Sequence, residues 1–169
     1  KVFNNYVFLV EKSPAFLYNN GSFIDTNTED IIMANVKELL KAEENGSLSF
    51  GDYSLTQKTK LDEFSFEGDV YKVKTFQEIT RLEKNGGVVY ESVPGSAVHG
   101  YKETERQITF ETEAADDLQI TLEVEPEKEY KVFVNDTNIG KLKSSLGGKI
   151  SFSIELDAGE TAKVQVVKL

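Results

Sequence analysis

The chain of 169 residues contains no cysteine and no tryptophan, one histidine and two arginines. The absence of cysteine excludes a disulfide framework, a thiolate zinc site and a cysteine nucleophile. Because His99 is the single histidine, a metal site with two histidine ligands is excluded as well. We therefore predict no metal and no cofactor, and we interpret the lack of cysteine as typical of a reducing compartment, the cytoplasm.

Positive charge is also scarce. The formal net charge is −10 and the isoelectric point is near 4.7. Nucleic-acid binding normally requires a basic face, so this charge argues against a nucleic-acid partner. The apolar run "YVFLV" near the start is too short for a signal-peptide core and ends at the charged pair Glu11-Lys12. The sequence therefore predicts neither a secretory signal nor a membrane span.

Met33 is the single methionine of the chain. Before it, Phe, Tyr, Asn, Ile and Lys occupy 16 of 32 positions, a bias typical of translated AT-rich DNA. After it, Asn35 and Glu38 form a capping box that predicts the start of a helix. We therefore predict that residues 1–32 are a non-native upstream leader or a disordered segment. The alternative is a genuine N-terminal strand over "NNYVFLV".

Residues 33–94 show mixed signals that predict a small α+β domain. One helix is predicted from Asn35 to the stop at Gly46, and a second from the capping box of Thr75 and Glu78 to Asn85-Gly86. The stretches "SLSFGDYSL", "DVYKVKT" and "GVVYESV" are typical of strands. The turn "VPGS", residues 93–96, is the predicted end of this domain.

Residues 95–169 lose the helical signals and show short runs in which apolar and polar residues alternate. Examples are "QITFET", "LQITLEV", "EYKVFV", "KISFSIEL" and "AKVQVV". With "AVHGY" and "NIGKLK" they give about seven strands, which predicts an antiparallel β-sandwich of immunoglobulin-like type. The predicted fold class is therefore mostly β, with the α+β unit first and the sandwich second.

Two long stretches carry a family resemblance: "MANVKELLKAEENGSLSFGDYSLTQKTKLDEFSFEGDVYKVKTFQEITRLEKNGGVVYESVPGSAV" and "QITLEVEPEKEYKVFVNDTNIGKLKSSLGGKISFSIEL". Over residues 33–169 the chain resembles a family of short proteins from gut Clostridia and related Firmicutes. Members often carry the label "endosialidase, catalytic beta chain". The resemblance implies no catalytic residues.

The chemistry behind that label conflicts with the composition. Sialidase catalysis needs several arginines to hold the substrate carboxylate, together with a tyrosine nucleophile and an acidic proton donor. The chain offers two arginines, Arg81 on a predicted helix and Arg106 beside a predicted strand. We therefore predict a protein that is not an enzyme, although acids such as Glu78 and Glu91 leave that alternative open.

Two kinds of binding function remain. The first is a non-catalytic protein-interaction or assembly module that binds a protein partner or a second copy of itself. The second is a carbohydrate-binding accessory protein, for which exposed aromatic rings would contact a glycan. The candidate binding residues are Tyr53, Tyr90, Tyr101 and Phe133. A coplanar pair of exposed rings would favour the glycan, and an apolar self-complementary surface would favour assembly.

Overall fold

The computed structural model describes residues 16–19, 22–25 and 38–169 and divides the chain into two compact units, Lys1–Ala34 and Asn35–Leu169. The described part of the first unit is an antiparallel hairpin of β1 (Phe16–Asn19) and β2 (Ser22–Asp25). Most of residues 1–32, and Met33 itself, lie outside the described residues. The interpretation of this segment as a leader or a disordered region stays a prediction.

The described part of the second unit contains only β-strands as regular elements. None of the described segments is a helix long and apolar enough to cross a membrane. The strands are β3 (Leu40–Ala42), β4 (Leu48–Phe50), β5 (Thr59–Phe66), β6 (Asp69–Phe76), β7 (Ile79–Lys84), β8 (Gly87–Val93), β9 (Ser96–Glu103), β10 (Gln107–Ala114), β11 (Leu118–Glu123), β12 (Glu129–Val134), β13 (Thr137–Lys143), β14 (Lys149–Ile154) and β15 (Thr161–Lys168).

These strands form two antiparallel sheets, of seven strands in the order β13-β12-β15-β10-β9-β4-β3 and of six in the order β14-β11-β8-β7-β6-β5. Both sheets contribute to one hydrophobic core. At its centre Tyr90 of the six-stranded sheet packs edge-on against Phe50 and Phe110 of the other, at ring-centroid distances of 5.3 and 5.6 Å. The prediction of a mostly β, antiparallel sandwich is confirmed.

The alternating runs of residues 95–169 place their apolar side chains as predicted. In β14, Ile150, Phe152 and Ile154 are buried while the residues between them are exposed. In β15, Val164 and Val166 are buried in the same way. Successive side chains of a strand point to opposite faces, so this pattern buries one face of each sheet against the other.

The predicted helix over residues 75–85 is wrong. Thr75 and Phe76 end β6, Ile79–Lys84 is β7, and the two strands form a hairpin in which Phe76 pairs with Ile79 and Thr75 with Thr80. Both threonines are fully buried. These threonines occupy core positions that apolar residues usually fill, so the alternation of apolar and polar residues that is typical of a strand is not visible in the sequence. Thr75 and Glu78 instead have the spacing of a capping box, which predicts the start of a helix.

The predicted helix over residues 35–45 is wrong for its described part. Leu40–Ala42 is β3, which pairs with β4, and the backbone N–H of Gly46 donates to Glu43 O in the turn between them. Asn45 accepts hydrogen bonds from the backbone N–H and the hydroxyl of Ser47. The described structure therefore lacks the α+β unit that was predicted before residue 94.

The turn at residues 93–96 connects β8 of the six-stranded sheet to β9 of the seven-stranded sheet. Across this point, β8 pairs with β11 and β4 pairs with β9. Each sheet therefore contains strands from both sides of the predicted boundary between residues 94 and 95.

A network of buried hydroxyl groups lies where this turn enters the core. The Thr80 hydroxyl accepts a hydrogen bond from Ser96 N at 3.0 Å, donates to Ser96 O at 2.8 Å, and lies 2.8 Å from the Thr75 hydroxyl. The Ser96 hydroxyl in turn contacts the hydroxyls of Tyr90 at 2.9 Å and Ser92 at 2.7 Å. Hydroxyls at these positions replace apolar packing with hydrogen bonds that link β6, β7, β8 and β9.

Candidate functional site

The four aromatic residues singled out from the sequence lie in different environments. Tyr90 and Tyr101 belong to the core, with exposed fractions of 0% and 4% and ring centroids 6.4 Å apart. Tyr53 is half-buried in the loop after β4, and Phe133 is half-buried on β12. Among the described residues, the aromatic rings that contact one another include no coplanar pair of exposed rings.

Tyr90 and Tyr101 differ in what their hydroxyls contact. The Tyr90 hydroxyl lies 2.9 Å from the Ser96 hydroxyl, whereas the buried Tyr101 hydroxyl has no hydrogen-bond partner in the described part of the chain. Burial raises the pKa of both phenols, that of Tyr101 well above its ordinary value. Burial therefore keeps both phenols protonated in the folded core.

Tyr101→Phe should leave the free energy of unfolding unchanged or raise it by about 1 kcal/mol, because it removes an unpaired buried hydroxyl. The matched variant Tyr90→Phe should lower it by about 1 to 2 kcal/mol, because it breaks a satisfied buried network. Urea unfolding followed by fluorescence or circular dichroism measures both. Equal losses in the two variants would contradict the assignment of an unpaired hydroxyl to Tyr101.

The outer face of the seven-stranded sheet carries a shallow depression of about 420 Å³. Phe133 on β12 pairs in register with Gln165 on β15, which pairs with Thr109 on β10. Since Ile108 and Phe110 face the core, these residues lie on the opposite, outer side. The result is a row of polar side chains beside one half-buried aromatic ring. The lining includes His99, Gly100, Thr109, Glu111, Lys163 and Gln165.

A buried acid lies beside this depression. Glu113 on β10 is 3% exposed, and its Oε1 is 3.7 Å from Nε2 of His99 on β9. Both atoms are buried and lack a hydrogen-bond partner in the described residues. Burial and, next, the charge of Glu113 raise the pKa of the Tyr53 phenol. His99 lies in β9, in the stretch "AVHGY" that was predicted as a strand, and its ring faces this acid.

The described structure does not bring the two arginines together. The two arginines lie apart in the fold, Arg81 on β7 of the six-stranded sheet and Arg106 in the turn between β9 and β10. Arg81 binds Glu91 through two nitrogens, at 2.5 and 2.7 Å, so its guanidinium is already paired with an acid. Among the described residues, no group of three or more His, Asp or Glu side chains could hold a metal ion.

A second surface of interest is the edge strand β14, because each of the other three edges of the two large sheets shows a feature that discourages strand addition. β3 has three residues. β5 carries a register shift at Glu63, which has a positive φ of 60°. β13 contains Gly140 at φ 144°, and its pairing with β12 shifts register at Ile139. β14 instead pairs with β11 in unbroken register over six residues. A regular, sparsely charged edge of this kind is a template for another strand.

The hydrogen bonds of β14 show which of its backbone groups face away from β11. Lys149 donates its N–H to the Ser145 hydroxyl and accepts the N–H of Ser145, so its backbone groups do not serve β11. Antiparallel pairing alternates between hydrogen-bonded and non-hydrogen-bonded pairs. The N–H and C=O of Ser151 and Ser153 therefore also point outward. No hydrogen bond from the described residues occupies them on that side.

An exposed apolar side chain adjoins this edge. Leu146, in the loop between β13 and β14, is 83% exposed, the largest value among the exposed large hydrophobic residues of the described chain. We define the β14 edge surface as the outer edge of Lys149–Ile154 together with Leu146 and Glu155. Unpaired backbone groups beside an exposed apolar residue are typical of a surface that binds another chain.

No protein-family model, curated protein or solved structure matches the chain. Sequence reasoning found β14 as a strand but missed its edge position, since alternation gives no information on which strands are neighbours.

Proposed function

We propose that the protein is a non-catalytic protein-interaction or assembly module that binds an extended segment of its partner along the β14 edge surface. The observation that carries the proposal is the regular, unpaired edge of β14 next to the exposed Leu146. Strand addition of this kind gains affinity from backbone hydrogen bonds and specificity from alternate side chains. The same proposal includes an immunoglobulin-like subtype of the sandwich, a cytoplasmic location, and kinship with the Clostridia and Firmicutes family.

The chemistry of the edge restricts the partner. Ser151 and Ser153 present small neutral side chains on the exposed face, and Lys149 supplies the single charge within the strand. A partner strand with small or mixed-charge residues fits such an edge, and one with an apolar residue near Leu146 gains further contact area. A strongly basic nucleic-acid-binding face is absent from this surface.

Ser151→Pro should abolish binding of an extended peptide to the edge. The N–H of Ser151 points outward, so proline there removes a donor used by the incoming strand without removing a bond to β11, and edge strands tolerate proline. A fluorescent peptide with the sequence of residues 148–156, "GKISFSIEL", serves as the probe in an anisotropy titration, with a scrambled peptide beside it.

Ser151→Ala is the matched control, because it removes the side-chain hydroxyl bonded to Thr121 and keeps the backbone N–H. We expect it to bind the peptide within about twofold of the original chain. Circular dichroism and thermal unfolding check that both variants fold. Equal affinity of the proline and alanine variants would overturn the proposal.

Carbohydrate binding is the second candidate function, and the row Phe133, Gln165 and Thr109 on the outer face favours it. A half-buried ring beside amide and hydroxyl groups offers a sugar one apolar face and several hydrogen-bond partners. A glycan array probed with the full chain is the test. Glycan binding that Phe133→Ala removes and Ser151→Pro leaves intact would favour this candidate over strand addition.

A further inference from the structure

The charges at the two ends of β14 suggest which strand its edge is built to receive. Lys149 lies at the first residue of the strand and Glu155 directly follows the last, and both are exposed on the same face as Ser151 and Ser153. The edge is thus positive at one end and negative at the other. Two such edges placed antiparallel bring each lysine opposite a glutamate.

We propose that the occupant of the β14 edge is β14 of a second copy of this chain. The two strands pair antiparallel about a twofold axis that lies midway between Phe152 of one copy and Phe152 of the other. The inference rests on the proposed function, since it names the partner of the same edge. In this register Ser151 lies opposite Ser153 of the second copy, and the side chain of Lys149 lies at the same end of the paired strands as Glu155 of the second copy. Each contact occurs twice because the interface is isologous.

The backbone supports this register. Directly opposite residues lie on the same face of an antiparallel pair, so only registers that match odd-numbered residues with odd-numbered residues keep the core face continuous. Ser151 and Ser153 both direct their N–H and C=O groups outward, and pairing them provides about four hydrogen bonds between the copies. Ser145 already occupies the backbone groups of Lys149, so Lys149 interacts with Glu155 through its side chain.

Charge selects among the allowed registers. A shift by two residues that places Ser153 opposite Ser153 would separate Lys149 from Glu155, and a shift the other way would place Lys149 opposite Ser153. Opposite charges directly across a strand pair stabilise it, and like charges destabilise it. The pair also offsets locally the repulsion expected between two copies that each carry a net charge of −10.

The first test reverses each charge. Analytical ultracentrifugation of the full chain should show a reversible dimer, and Lys149→Glu or Glu155→Lys alone should weaken it about tenfold or more, because two attractive pairs become repulsive. An equimolar mixture of these two variants should restore the affinity as a heterodimer, and so should the double variant within one chain. Lys141→Glu, an exposed lysine on β13, is the control and should leave the dimer unchanged.

The second test measures the register. The chain contains no cysteine, so introduced thiols are the only ones present. A mixture of Ser151→Cys and Ser153→Cys proteins should form a disulfide-linked heterodimer under mild oxidation, since opposite Cα atoms lie about 5.5 Å apart. Neither variant alone should cross-link, because equivalent residues then lie beyond the roughly 7 Å limit for a disulfide. Cross-linking of Ser153→Cys with itself would overturn the register.

The outcomes separate this inference from the proposed function. A chain that stays monomeric at its highest soluble concentration, yet binds the 148–156 peptide in a manner sensitive to Ser151→Pro, would overturn the second-copy partner and retain strand addition. A dimer unaffected by Ser151→Pro and by the charge reversals would overturn both.

Discussion

Gly95→Ala should lower the free energy of unfolding by about 3 kcal/mol, the upper range for forcing extra volume into a packed site. A Cβ atom added to Gly95 would lie 1.9 Å from the carbonyl oxygen of Phe76 and 3.0 Å from its carbonyl carbon. The contact is with backbone, so no side chain can rotate away. The N–H of Gly95 also donates to Gln77 O at 2.9 Å, and any shift that relieves the clash stretches this bond.

Gly147→Ala is the matched control. Gly147 is exposed, has no positive φ, and its added Cβ would meet nothing nearer than the Ser145 hydroxyl at 3.8 Å. We expect a change within about 0.5 kcal/mol, as for surface substitutions generally. Urea unfolding monitored by circular dichroism measures both variants. A small loss for Gly95→Ala would show that the carbonyl group of Phe76 does not lie close against Gly95.

Thr80→Val should lower the free energy of unfolding by about 2 to 4 kcal/mol. Valine has nearly the same shape, so the packing is kept while the hydrogen bonds to Ser96 and the contact with the Thr75 hydroxyl are lost. Removing one partner leaves the buried N–H of Ser96 without its acceptor, and an unpaired buried donor costs more than a typical hydrogen bond contributes. The hydrogen bonds that link β7 to β9 through the Thr80 hydroxyl are then lost.

Thr121→Val provides the comparison, because its hydroxyl contacts the Ser151 hydroxyl at 2.8 Å on an exposed face. Water can replace that partner, so we expect a loss of less than about 0.5 kcal/mol. Chemical denaturation of the two valine variants gives the difference directly. If both lose the same small amount, the hydroxyl network would not contribute to holding the sheets together.

The sequence predicts well those strands whose core face is purely apolar. Ile150, Phe152 and Ile154 alternate with polar residues, and each is buried as predicted. Thr75 and Thr80 are equally buried but polar, and their strands were mistaken for a helix. Local patterns report the polarity of side chains, whereas the burial of these two threonines depends on hydrogen bonds to each other and to Ser96, which lies 16 residues after Thr80.

The binding surfaces were harder to predict for a related reason. Tyr90 and Tyr101 were proposed as binding residues from their chemistry, and the fold uses them as core rings. The proximity of His99 to Glu113 arises from the pairing of β9 with β10. The free edge of β14 depends on the order of strands across the sheet, which no stretch of neighbouring residues encodes.

The position of β15 in the seven-stranded sheet determines when that sheet can be completed during synthesis. Thr161–Lys168 lies between β10 and β12, so it joins two parts of the seven-stranded sheet that do not otherwise pair. During synthesis β10 and β12 emerge from the ribosome before β15. The strand edges to which β15 binds therefore stay unpaired until residue 168 has been synthesised. Contacts so distant in sequence slow folding and expose unpaired strands in the interval. Nascent chains stalled before residue 161 should therefore depend on chaperones more than chains that contain β15 do.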